Sequence, residues 1–460
     1  MLSKLSALRE SLRTSLWPAP VGLSIVAALL WWGAYSLDSI LVPEDLPRHV
    51  LLTAGSGDDA RNLLTALVSS LITLAGVMFS ITMVVLSLAA NQFGSRLVRT
   101  YTSDPRTQLS LGVFTMTVVY GLLALRTVQK DMPAAEVPQI TVAVALLLAL
   151  ICLVVMLLFL SVVARLVVAD NVIERVSAEL ESGIKGLPIA NGAPSTVGQG
   201  EDKVPDELFR DFAIVRSTEE GYVQAVEYGD LAKSACEADV VIRLDYRAGA
   251  FMCRHGWLAQ VSPPDRLTPE LETLIQKHVL IGDQRTPTQD LEFPIRHMVD
   301  IALRALSPGI NDPNTAMAVV DRLRGALSRL MGRQLPGITY KDEQGTIRIV
   351  AKRTGFDGIF DAAFNQIRQA GAAKPAMAIH LLGSIARLAE HIRTAEQRDS
   401  LMKHAEMTAA ACLRAAEEEH DRADVRLALA AARHKICEMG PSDLENRSEG
   451  VTRSAALRQA

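Results

Sequence analysis

The sequence predicts a multi-pass α-helical membrane protein, four transmembrane helices followed by a C-terminal cytoplasmic α+β domain that ends in a helical bundle. Three observations predict it. Residues 62–95 and 137–164 carry no charged side chain, and roughly 18 apolar residues suffice to cross a bilayer. Two shorter uncharged runs, 21–36 and 107–125, reach that length with their apolar flanks. After Ala164 the long apolar runs give way to short alternating segments and amphipathic helical periods.

Taken in order, residues 1–17, "MLSKLSALRESLRTSLW", predict a short amphipathic helix at the membrane surface. The next apolar run contains Trp31 and Trp32 and ends without a small-residue cleavage site, so it reads as an uncleaved span rather than a signal peptide. The transmembrane domain covers 18–165, with spans at about 20–41, 63–90, 107–125 and 137–164. Lys4, Arg9 and Arg13 precede the first span, and Arg96, Arg99 and Arg106 follow the second, whereas the first loop is acidic and the third is balanced. Basic loops stay on the cytoplasmic side. The alternation predicts a bacterial inner (plasma) membrane protein with both termini in the cytoplasm.

The second span differs from the fourth. Ser69, Thr73, Gly76, Ser80, Ser87 and Asn91 fall within about 60° of arc on a helical projection. Such a stripe suits either a close-packing seam between helices or, in a symmetric ring of copies, the wall of a water-filled path. No charge lies in it, so no charged ring for ion selection is present.

Residues 166–205 read as a helical extension and a linker rich in Gly, Pro and Ser. A small β-rich module follows at 206–265, and residues 247–261 resemble the turn-and-strand half of a biotinyl/lipoyl-type barrel-sandwich fold. That segment has no lysine at a hairpin tip where such a cofactor would attach, and no cofactor is expected. Residues 266–440 predict a helical domain with a β-hairpin at about 337–352, and 441–460 a disordered tail. The five cysteines are widely spaced, without metal-ligand spacing. With 47 basic and 51 acidic residues the chain has a net charge of −4, which gives no footing for a nucleic-acid partner.

The stretch "ALSPGINDPNTA", 305–316, separates two helical segments. Ser307-Pro308-Gly309 stops the first, with Gly309 free to take positive φ. Asp312-Pro313 starts the second as N-cap and first helical residue. Around it stand more polar groups than a corner requires: Arg285, Asp290, His297, Asp300, Arg304, Asn311 and Asp312. They are candidate ligands for a small anion, since a helix N-terminus attracts negative charge. A hydrogen-bonded network that only fixes the corner is the alternative.

Five segments together, "FSITMVVLSLAANQFGSRLVR", "TQLSLGVF", "EEGYVQAVEYGDL", "QDLEFPIRHMVDIALRALSPGINDPNTA" and "FDGIFDAAFNQIRQ", resemble the bacterial predicted membrane proteins grouped as domain of unknown function 2254. The resemblance runs over roughly 16–439, with "ALSPGINDPNTA" as its most specific element. It implies membrane class and extent, and brings no reaction, substrate or catalytic residue.

Three functional classes fit this reading. The first is a membrane-anchored sensor or scaffold whose cytoplasmic domain binds a ligand or partner. The second is a homo-oligomeric channel or transport protein with a path lined by the second span. A membrane enzyme ranks last, because no nucleophile elbow, HExxH or phosphate-cradling glycine loop is present. The expected partners are the lipid bilayer, further copies of the chain and a small anionic ligand.

Overall fold

The computed structural model describes residues 15–40, 56–93, 104–134, 136–166, 169–189, 199–200 and 204–438. Most of the expected amphipathic start and the whole expected disordered tail lie outside them. The chain divides into two units, Met1–Val172 and Ile173–Ala460.

Four helices long and apolar enough to cross a membrane make the first unit: α1 (Pro18–Ile40), α2 (Gly57–Phe93), α3 (Pro105–Thr127) and α4 (Gln139–Leu166). Asp104 caps α3, its carboxylate accepting the backbone N–H of Arg106, with Pro105 at the first helical position. The α2 helix starts earlier than the uncharged run suggests. Ser56 and Asp59 form a reciprocal cap, Ser56 N and Oγ donating to Asp59 Oδ2 at 3.0 and 2.7 Å and Asp59 N donating to Ser56 Oγ at 3.3 Å. A charged first turn thereby joins the helix, which reaches 37 residues, about 55 Å at the usual rise.

The unit's interior joins Leu64 and Leu71 of α2 to Phe114 and Tyr120 of α3 and to Ala145, Cys152 and Phe159 of α4. Tyr120 is fully buried and its hydroxyl donates to Thr141 O at 3.1 Å. One carboxylate latches the first span to the fourth. Asp38 accepts the backbone N–H groups of Ile140 and Thr141 at 2.8 and 2.9 Å and the Thr141 hydroxyl at 2.7 Å, satisfying donors that a helix N-terminus leaves open.

The stripe on α2 faces the other way. Leu64, Val68, Leu71, Met78, Thr82 and Val85 are buried against the neighbouring spans, whereas Ser69, Thr73, Gly76, Ser80 and Ser87 are all exposed. The Thr73 hydroxyl bonds back to Ser69 O at 3.0 Å. The side chain of Asn91 lies outside the described residues. Within one copy, therefore, the described residues of the stripe lie on the exposed face of α2.

The second unit begins within α5 (Ala169–Lys185) and builds two sheets. Their strands are β1 (Gln199–Gly200), β2 (Ala213–Arg216), β3 (Gly221–Val226), β4 (Val241–Leu244), β5 (Phe251–Met252), β6 (Trp257–Ser262), β7 (Val279–Gly282), β8 (Thr339–Lys341) and β9 (Ile347–Val350). The larger sheet has the order β1-β8-β9-β4-β6-β2, the smaller β5-β3-β7. All pairings are antiparallel except β4 with β9, which run parallel with Ile242 opposite Ile349. Helices α6 (Tyr228–Glu237) and α7 (Pro269–Lys277) cover the sheets. Leu231, Ala235, Leu271 and Ile275 from them share one core with Val223, Ile242, Leu258, Val261 and Ile349. Thr268 caps α7 by accepting Leu271 N at 3.2 Å.

Helices complete the unit: α8 (Glu292–Leu306), α9 (Pro313–Leu330), α10 (Phe356–Ala370), α11 (Pro375–Leu388), α12 (Ala395–Ala415) and α13 (Glu419–Glu438). The 305–316 corner is a tight turn. Asn311 N and Asp312 N donate to Ser307 O and Ala305 O at 2.8 and 2.7 Å. Asp312 caps α9, accepting Thr315 N at 3.1 Å and the Thr315 hydroxyl at 2.6 Å. The left-handed residue is Asn311 (φ 50°) and not Gly309. Asparagine tolerates that region because its short amide can bond locally, and here Asn311 Oδ1 accepts from Lys374 Nζ.

Candidate functional site: a cationic cleft

Strand direction builds the site. Because β4 and β9 are parallel, the residues that follow each of them emerge on the same side of the sheet. The loop after β4 supplies Asp245, Tyr246, Arg247 and Gly249, and the segment after β9 supplies Lys352 and Thr354. The antiparallel β6 begins where β4 ends, Ala259 lying opposite Leu244, so Trp257 stands at the same edge. The first turns of α8 add Glu292 and Arg296.

At the centre is Glu292, 4 % exposed. Its Oε1 accepts from Arg247 Nη2 at 2.6 Å and from the Thr354 hydroxyl at 2.8 Å. Its Oε2 accepts from Arg296 Nε and Nη2 at 3.2 and 3.0 Å. Burial alone raises a carboxylate's pKa, but the Thr354 hydroxyl and the two guanidinium groups outweigh it and hold Glu292 below the usual range. Behind it Asp290, 2 % exposed, receives Arg285 Nε on one oxygen and the backbone N–H of Glu292 on the other at 3.1 Å. Gly249, with φ +86°, closes over this pair, and a Cβ there would fall on Asp290 Oδ2 and Arg285 Nε.

Two clefts flank the Arg247–Glu292–Arg296 node, of about 570 and 520 Å³. The larger is lined by four cations, Arg247, Arg285, Arg296 and Lys352, against Asp245 and Glu292. Counting Asp290 as the partner of Arg285, one positive charge is left over, and Lys352 is the exposed cation. Gln260, itself buried, donates to both Asp245 oxygens at 3.3 and 3.2 Å. Asp361, Asn365 and Arg353 line the smaller cleft.

The residues singled out around the corner are not brought together into one site. Arg285 lines the larger cleft and Asp290 anchors it. His297 is buried, and Asp300 and Arg304 are half-buried, farther along α8. Asn311 and Asp312 lie past the other end of that helix, about 20 Å away at 1.5 Å per residue, and there they hold the turn. Sequence reasoning missed Arg247, Glu292, Lys352, Thr354 and Trp257. The Glu292–Arg296 spacing of four residues was the one local signal available.

A family model described as "Predicted membrane protein (DUF2254)" matches residues 13–387. The chain belongs to this family. Proteins similar to the chain include the uncharacterised proteins Rv1290c of Mycobacterium tuberculosis (strain ATCC 25618 / H37Rv) and Mb1321c of Mycobacterium bovis (strain ATCC BAA-935 / AF2122/97). Each is 29% identical to the chain over 437 residues, covering 94% of it and 82% of the relative. No solved structure matches the chain. The DUF2254 match takes in the four spans, both sheets and every residue of the larger cleft.

Proposed function

We propose that this DUF2254 protein is a bacterial inner-membrane sensor, anchored by its four spans, whose C-terminal unit faces the cytoplasm and binds a small anionic ligand in the larger cleft. The observation that carries this reading is the cation excess around Glu292. Arg247 and Arg296 are oriented by a buried carboxylate while 30 % and 41 % of their side-chain surfaces stay open. The exposed ammonium of Lys352 stands beside them. Pre-oriented guanidinium groups are the usual means of holding phosphate or carboxylate. Of the residues first singled out, Arg285 and Asp290 keep a part in the site.

The test is calorimetric titration of the full chain in nanodiscs with inorganic pyrophosphate at low salt. Arg296→Ala and Lys352→Ala are each expected to weaken binding about tenfold, in line with one lost charge-assisted hydrogen bond. Saturable binding that both variants leave unchanged, or no binding at all, sinks the proposal.

A second reading, a homo-oligomeric channel lined by α2, draws on the outward-facing stripe at Ser69, Thr73, Gly76, Ser80 and Ser87. Hydroxyl-bearing small residues suit a helix–helix seam or a wet path better than lipid. Native mass spectrometry in nanodiscs decides it. A ring of five or more copies supports a central path, and a monomer refutes it. In such a ring Ser80→Leu with Ser87→Leu would abolish flux.

A further inference from the structure

Trp257 is the feature that a plain anion site does not explain. It opens β6 and is 47 % exposed, yet it lines the same cleft as Arg247, Arg296 and Lys352. Among the described residues it enters no ring stack and carries no cation over its face. The second unit's sheet-associated ring pairs among the described residues are Tyr222 with Phe251 and Tyr228 with Tyr340, and Arg243 lies over Phe209. An open indole costs hydration free energy and offers a flat apolar surface.

The cleft is also larger than a lone anion needs. At about 570 Å³ it lies within the range of roughly 300–1,000 Å³ that holds whole organic ligands. The same cleft is lined by hydrogen-bonding residues of a different kind from the guanidinium cluster, Tyr246 and the Asp245–Gln260 pair. Flat ring surface, polar edge groups and a cationic end thus share one cavity.

We propose that the ligand is a nucleoside phosphate, its base stacked on Trp257 and its phosphates held by Arg247, Arg296 and Lys352. This rests on the anion-binding reading above and narrows it to one chemical class. Stacking of a base on an aromatic side chain contributes about 1–3 kcal/mol, so the base makes the nucleotide bind about 5- to 150-fold tighter than its phosphates alone.

The experiment compares ADP and GDP with inorganic pyrophosphate, titrated into the full chain in nanodiscs with EDTA present. Calorimetry gives the affinities, and quenching of tryptophan emission gives a second signal. The wild-type chain is expected to prefer a nucleotide at least about fivefold. Trp257→Ala should erase that preference while pyrophosphate binding persists, and Trp257→Phe, which keeps a ring, should restore most of it. Retained pyrophosphate binding also shows that the Trp257→Ala chain is folded. Equal affinities for nucleotide and pyrophosphate in the wild-type chain overturn the nucleotide assignment and leave the anion site standing. Binding of none of the three overturns both.

Discussion

Arg247 and Glu292 meet at 2.6 Å although 45 residues separate them in the chain, and this pair ties the loop after β4 to the first turn of α8. Glu292 has two cations to neutralise and only 5 % of its side chain exposed. Replacing it with alanine leaves two guanidinium groups side by side without their acceptor. A fully buried pair loses about 3–5 kcal/mol when one partner goes. Because both arginines reach solvent, the expected cost for Glu292→Ala is about 2 kcal/mol. Thermal unfolding of the full chain in detergent should drop by roughly 5 °C. An unchanged midpoint would show that the carboxylate does not hold the loop.

Gly249 is a second control point. Its φ of +86° and the Asp290 carboxylate over it leave no room for a side chain. Gly249→Ala is expected to destabilise by more than 1 kcal/mol and to weaken pyrophosphate binding by displacing Arg285. A variant with wild-type melting and binding would mean that the loop relaxes freely.

His404 on α12 predicts an acid-sensitive unit. It is fully buried against Phe364, with ring centroids 5.6 Å apart. Its Nε2 comes within 3.1 Å of Asp361 Oδ1 without meeting hydrogen-bond geometry. Burial pushes its pKa down to about 4, against the pull of the Asp361 charge. A histidine with a depressed folded pKa is neutral when folded while the unfolded chain takes up a proton. Stability is therefore full above the unfolded value near pH 6.5 and falls as pH drops toward 4, by up to about 1.4 kcal/mol per pH unit. The melting temperature of His404→Phe, measured from pH 7 to 4.5, should fall less steeply than that of the wild type. Parallel curves would remove His404 as the cause.

In the membrane unit, Asp38 and Thr141 carry the corresponding prediction. Asp38→Ala removes three hydrogen bonds at the start of α4, and lost caps typically cost about 0.5–2 kcal/mol. Asp38→Asn keeps an acceptor and should be milder. Unfolding in graded SDS separates the two, and identical curves for both variants and the wild type would exclude the latch.

The four spans were legible because lipid permits few solutions: a charge-free run of that length has to be a helix with its backbone bonded internally. Asp104-Pro105, Thr268-Pro269 and Asp312-Pro313 marked helix starts for an equally local reason. The cleft was not legible in the same way. Arg247, Trp257 and Lys352 share an edge because β4 pairs with β6 and, about a hundred residues on, with β9, and α8 brings Glu292 to them; no spacing in the chain records that. At the corner Asn311 and Asp312 hold the turn, and Arg247, Arg285 and Arg296 line the cleft at the opposite end of α8.

The parallel pairing of Ile242 with Ile349 also fixes an order of events during synthesis. The edge of β4 that β9 covers stays open until more than a hundred further residues have left the ribosome, and Lys352 arrives last among the residues of the larger cleft. Parallel pairs of such separation form late, after their loop has closed. A chain arrested before residue 347 would thus expose an unpaired strand edge and hold Arg247 and Arg296 without the lysine that completes them.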